Sequence, residues 1–132
     1  MNAPAYSLAV LLASGEPERL YTGLSLLVST AVDSGPVAGL ASFSGLELLC
    51  DPALRQRAMT PEHAPAVAQG GRETFARSLE ELRSTAAELD TVELYACSAS
   101  VEAMVVDTDG LDGVLSTPRF LQLTSGARLV AL

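Results

Sequence analysis

The chain has 132 residues, 48% of them hydrophobic and 18% charged, a length that holds one domain, residues 1–132, with no room for a second core. A chain of this size buries about two-thirds of its unfolded surface, so a core forms without metal or disulfide staples. Sixteen Asp and Glu against eight scattered Arg give a net charge of -8, which excludes the clustered basic footprint that nucleic-acid binding requires.

Two cysteines, Cys50 and Cys97, are too few for a disulfide framework and make neither a CxxC nor a zinc-ligand pattern, so no metal is expected. Residues 1–5 lack a basic leader region, and the apolar run 8–13 is too short for a signal core. The longest apolar stretch, 20–32, is broken by Thr22, Gly23, Ser25, Ser29 and Thr30, so no membrane span is expected. These features predict a cytoplasmic protein with reduced thiols.

Residues 6–12 (YSLAVLL) form a nearly continuous apolar run, the pattern of a strand buried on both faces. Ser14, Gly15 and Glu16 make a turn, and Pro17 opens a helix in which Leu20, Leu24, Leu27, Val28 and Ala31 recur at helical spacing up to a Gly35 cap. Residues 37–43 (VAGLASF) read as a second strand, Ser44 and Gly45 as a loop, and 46–50 as a short helix stopped by Asp51 and Pro52. From 51 to 71 the pattern lapses between Pro52, Pro61, Pro65, Gly70 and Gly71, which predicts an irregular crossing, either a functional lid or a surface loop.

A clear helix follows from Arg72, with Phe75, Leu79, Leu82, Ala86 and Leu89 on one face. Its outer face offers the pairs Glu73 with Arg77, Arg77 with Glu81 and Glu80 with Arg83, each worth about 0.2–0.5 kcal/mol. A third strand (92–96), Cys97, a helix (100–106), a short strand (114–116), a helical turn (118–124) and a last strand (127–132) complete the chain. Strands alternating with helices predict an α/β fold: an open, doubly wound, mostly parallel five-stranded sheet with helices on both faces, Rossmann-like in kind.

Ligands of such sheets bind at the carboxyl ends of the strands. Three loops qualify as ligand-binding positions: Ser14 with Gly15, Ser44 with Gly45, and Cys97 with Ser98 and Ser100. A thiol at the third lies at a helix N-terminus, where N–H groups and the helix dipole favour the thiolate. The competing reading is a small buried residue that ends a strand. Glu93, Glu102 and Asp107 are near in sequence and would oppose ionisation if also near in space.

Cys50 reads either as a resolving thiol or as part of an apolar stripe with Leu46 and Leu49. His63, the only histidine, reads as a solvated loop residue unless the loop carries it to Cys97. Asp107, Asp109 and Asp112 read as a turn, because the glycine offset is wrong for a calcium loop and no bidentate Glu follows. Neither a GxGxxG nor a Walker A sequence is present, and no cofactor is expected.

The stretch 94–104 (LYACSASVEAM) resembles the cysteine segment of the DsrE/DsrF-like family, especially its peroxiredoxin-labelled branch, through Ala96, Cys97, Ser98, Ser100 and Met104. Phe43, Gly45, Leu46, Leu48 and Leu49 are similar to that branch's F-x-G-L-x-L-L segment, while Val105 stands where a glycine commonly follows the methionine. The resemblance implies five parallel strands, a homo-oligomer (trimer or hexamer), and sulfane sulfur carried as a persulfide on Cys97 between protein donors and acceptors. The alternative is a non-catalytic oligomeric interaction or small-ligand-binding module of the same fold. A thiol peroxidase is the weakest option, since no resolving pair is evident.

Overall fold

The computed structural model describes residues 5–132; residues 1–4, most of the stretch that lacks a basic leader region, lie outside the described residues. The chain runs β1 (Leu8–Leu12), α1 (Pro17–Ser34), β2 (Val37–Ala41), α2 (Phe43–Cys50), α3 (Pro52–Arg57), α4 (Pro65–Ala68), α5 (Arg72–Glu88), β3 (Val92–Cys97), α6 (Ser98–Ala103), β4 (Gly113–Leu115), α7 (Thr117–Leu123) and β5 (Arg128–Ala131). All pairings are parallel, in the order β4-β3-β2-β1-β5. The expected α/β class and open sheet with helices on both faces are therefore present.

The strand order explains where the helices lie. From β1 to β4 each strand is added on the same side of the last, whereas β5 returns to the far side of β1. Parallel crossovers are right-handed, so this reversal sends α7 alone to the opposite face. Alternation along the strands separates the two cores accordingly. Leu8, Val10 and Leu12 of β1 pack with Leu20, Leu24 and Leu27 of α1, Leu46 and Leu49 of α2, and Leu79 of α5. Ala9, Ala38, Leu40 and Cys97 pack instead with Phe120 of α7.

Two local expectations are corrected. β2 ends at Ala41 rather than at Phe43, and α2 begins at Phe43 rather than at Leu46. The first turn of α2 sits directly on the end of β1: the Ser42 N–H donates to the Leu12 carbonyl at 3.1 Å. A Cβ at Gly45 would lie 2.1 Å from that carbonyl oxygen, so only glycine permits the approach.

The 51–71 crossing is not irregular throughout, because Pro52 and Pro65 each open a short helix. Proline lacks only an N–H that the first helical turn leaves unbonded anyway. The Asp51 carboxylate caps α3, accepting from the Ala53 and Leu54 N–H groups at 2.9 and 3.1 Å.

The predicted pairs on the outer face of α5 do not form. Among the described residues the ion pairs are Arg19 with Glu16 and Arg55 with Glu80. Arg55, 4% exposed, holds Glu80 through two N–H groups at 2.6 and 3.0 Å and donates to the Leu48 and Leu49 carbonyls at 3.0 and 2.7 Å. Arg83 adds a third donor, its Nε lying 2.7 Å from the Leu49 oxygen. Orphan carbonyls at a buried helix end attract cations more strongly than a solvated partner one turn away.

Replacing Arg55 by Ala uncaps α2 and strands Glu80, which lowers the unfolding free energy by about 3 kcal/mol. Arg57→Ala, at an exposed position of the same helix, changes it by less than about 0.5 kcal/mol. Urea denaturation of the two variants checks the contrast.

Candidate functional site

Adjacent strands whose following helices leave on opposite faces open a crevice at their carboxyl ends. Here those strands are β3 and β4. Cys97 is the last residue of β3, opposite Leu115, the last residue of β4. It is also the N-cap residue of α6, with extended backbone (φ -68°, ψ 127°), and it faces the α7 side at 5% exposure.

Four donor groups converge on the sulfur. Burial pushes the Cys97 thiol up, but the Ser100 N–H and hydroxyl, the Ala99 N–H and the Thr117 hydroxyl overcome it, so its pKa lies below the ordinary thiol value. None of the backbone contacts closes a full capping hydrogen bond in the neutral thiol. They act as dipoles aimed at the place where negative charge would form.

The donor set is fixed from behind. Ser100 is fully buried, and its Oγ accepts the Phe43 N–H at 2.8 Å. Phe43 has φ 45°, the only positive φ at a non-glycine among the described residues, and its ring is half exposed. The start of α2 is thereby tied to the start of α6.

The structure places the expected ligand-binding residues in two groups. Ser98 and Ser100 share α6 with Cys97, Ser98 being its half-buried first residue. The second group lies at the ends of β1 and β2, where the Ser14 Oγ accepts the Glu16 N–H at 3.0 Å. A Cβ at Gly15 would lie 3.0 Å from Ser44 Cβ, and Gly45 packs on Leu12. This corner is filled by the chain itself, and Phe43 links it to the first group.

The acidic residues near Cys97 in sequence do not prevail over the donors around it. Glu93 accepts the Tyr6 hydroxyl at 2.8 Å and the Tyr95 hydroxyl on the same oxygen. Burial and the neighbouring donors are the largest influences on the thiol, and Glu93, Glu102 and Asp107 are not among them. Burial, then the Glu93 carboxylate, pushes Tyr6 up to about 12 and Tyr95 higher still.

Cys50 is half-buried at the far end of α2, about 10 Å of helix from Phe43. Burial pushes its thiol up, partly offset by Arg83 and Arg55. It borders a cavity of about 280 Å³ with Glu47, Asp51, Pro52, Val105, Val106 and Asp107. His63 is exposed between α3 and α4.

The acidic stretch before β4 is a turn: the Asp109 N–H bonds Asp107 Oδ1 at 3.0 Å, and Asp112 Oδ2 accepts the Leu94 N–H at 2.7 Å. Among the described residues no cluster of three or more His, Cys, Asp or Glu is placed to hold a metal ion, and no helix is long and apolar enough to cross a membrane.

Sequence reasoning missed Thr117 and the Phe43 N–H. Ser116, Thr117 and Pro118 do carry a helix-start signal, and the Ser116 Oγ caps α7 by accepting the Arg119 N–H at 3.3 Å. Nothing local in that signal says that the helix starts beside Cys97. No protein-family model matches the chain, and no curated protein matches it either.

Two pH dependences arise from these shifts. The folded Cys97 thiol is depressed, so its ionisation adds stability that is complete above the unfolded value of about 8.5 and disappears as pH falls through the folded value. The urea midpoint of the wild type therefore rises with pH toward about 9, relative to that of Cys97→Ala. Tyr6 has the opposite sign: its contribution is present below the free phenol value of about 10 and is lost as pH climbs through its folded value of about 12. Tyr6→Phe accordingly loses less stability than the wild type over that alkaline range, measured by the same titration.

Proposed function

We propose that the chain is a DsrE/DsrF-like sulfur carrier that takes sulfane sulfur onto Cys97 as a persulfide and passes it to a partner thiol. The observation that carries this reading is the convergence of Ala99, Ser100 and Thr117 donors on the Cys97 sulfur at the β3–β4 crevice. Donors that favour a thiolate also favour the terminal anion of a persulfide.

The chemistry is balanced without a cofactor. The Cys97 thiolate attacks the outer sulfur of a donor R–S–SH, the donor's S–S bond breaks, and R–S⁻ leaves with the bonding pair. Cys97–S–SH then meets an acceptor thiolate, which takes the outer sulfur and releases the Cys97 thiolate. No net oxidation occurs, and a compartment that keeps thiols reduced, such as the cytoplasm, suits both steps.

Self-association belongs to the same proposal. The α7 face carries the exposed side chains of Leu121, Leu123 and Leu129, and one seven-residue helix is all that covers it. A trimer or hexamer built from further copies would bury Leu121 and Leu129. The second functional reading, a non-catalytic interaction or ligand-binding module, is favoured by the burial of Cys97, since buried thiols are commonly inert.

Incubation with inorganic polysulfide followed by intact-mass measurement tests the carrier reading. The expected result is one added sulfur on the wild type and on Cys50→Ser, and none on Cys97→Ser. No addition, or equal loading of Cys97→Ser, supports the binding module instead. Sedimentation at micromolar concentration is expected to show an oligomer; a monomer overturns self-association.

A further inference from the structure

A groove of about 410 Å³ lies between α7 and the β3–β4 edge, lined by Tyr95, Leu115, Arg119, Gln122 and Leu123. Its volume falls in the range of small-molecule sites. It shares a wall with the thiol: Leu115 is the register partner of Cys97, and Tyr95 lies two residues before Cys97 on the same face of β3.

The groove is polarised along its length. α7 sets out beside the sulfur at Thr117, and Arg119 is only two residues, about 3 Å of rise, further on. Gln122 and Leu123 follow at the far end. The Tyr95 hydroxyl is committed to Glu93, so its ring, with Leu115 and Leu123, forms the apolar wall.

Arg119 is exposed and has no ion pair among the described residues. An unpaired guanidinium on the wall of a groove that adjoins a nucleophile acts on what enters that groove. On a chain of net charge -8, long-range attraction for anions is absent, so selection for an anion has to be local.

Building on the carrier reading, we infer that this groove binds the carboxylate-bearing body of a small thiol or persulfide, with Arg119 on the carboxylate and the ligand's sulfur presented to Cys97. The donor of sulfane sulfur, or its acceptor, is then a small acidic thiol rather than a protein. The guanidinium fork matches a carboxylate in two parallel N–H contacts.

Two alkylating agents of nearly equal size, iodoacetate and iodoacetamide, separate anion recognition from thiol reactivity. At low salt, Arg119→Gln is expected to slow iodoacetate at Cys97 about three- to fivefold, the worth of one exposed ion pair, and to leave iodoacetamide unchanged. Arg128→Gln, at the start of β5 beside Leu8 and so at the opposite end of the sheet, is expected to change neither, and raised salt to abolish the Arg119 effect. Equal effects on both reagents, or none on either, overturn the inference.

Amide shifts of Leu115 and Arg119 in the Cys97→Ser protein, titrated with mercaptosuccinate, give a readout that needs no reaction. They are expected to move, and to stop moving when Arg119→Gln is added. Polysulfide loading that fails while these shifts persist removes the carrier reading and leaves the groove. Loading that succeeds with neither the shifts nor the iodoacetate effect removes the groove and leaves the carrier.

Discussion

Between β4 and β5 the chain has to cross the full width of the sheet, and the handedness of parallel crossovers allows it to do so only over the face the earlier helices leave open. That crossing governs the geometry of the thiol crevice. It places α7 alone on its face, makes β3 and β4 the strands between which the connections part, and brings the start of α7 alongside the residue that ends β3. Cys97 receives the Thr117 hydroxyl because of this path, and without it the thiol would have donors from α6 alone.

The electrostatics of the site are short-ranged. An acidic chain with no lysine would be expected to suppress a thiolate, yet the groups that lower the Cys97 pKa are neutral N–H and O–H dipoles in contact with the sulfur. Contacts of this kind outweigh distant like charges because bulk solvent and salt screen the latter and not the former. Glu93, the acid nearest in sequence on that face, is occupied by two phenols. The cations are divided in a similar way: Arg55 and Arg83 close the carboxyl end of α2, and Arg119 is left facing solvent at the groove.

Periodicity revealed the elements of this fold better than their junctions. The apolar run of β1, the Pro17 start and Gly35 stop of α1, and the four-three spacing in α5 are local signals, and each matches an observed element. The start of α2 was hidden because it depends on Gly45 lying against Leu12, a contact between distant parts of the chain. Pro52 and Pro65 look like breakers in isolation and are helix starts once the preceding residue caps or extends. Cys97 was legible as a thiol between strand and helix. Its donors Ser100 and Thr117 differ in this respect, since the first is three residues away and the second twenty, across a register that no local pattern encodes. The inward turn of Glu80 and Arg83 was equally invisible, because it answers the orphan carbonyls of another helix.

Phe43 carries a tension that neither the core nor the sheet resolves. Its left-handed backbone costs a residue with a Cβ about 1 kcal/mol, which a glycine would not incur. The ring is half exposed, so burial offsets little of that cost. The strained turn aims an N–H at Ser100, and glycine could aim the same N–H with less strain. At this position folding stability and the identity of the side chain pull in opposite directions, and the chain keeps the side chain. The turn behind the thiol is thus a place where a more stable sequence is readily written and is not the one present.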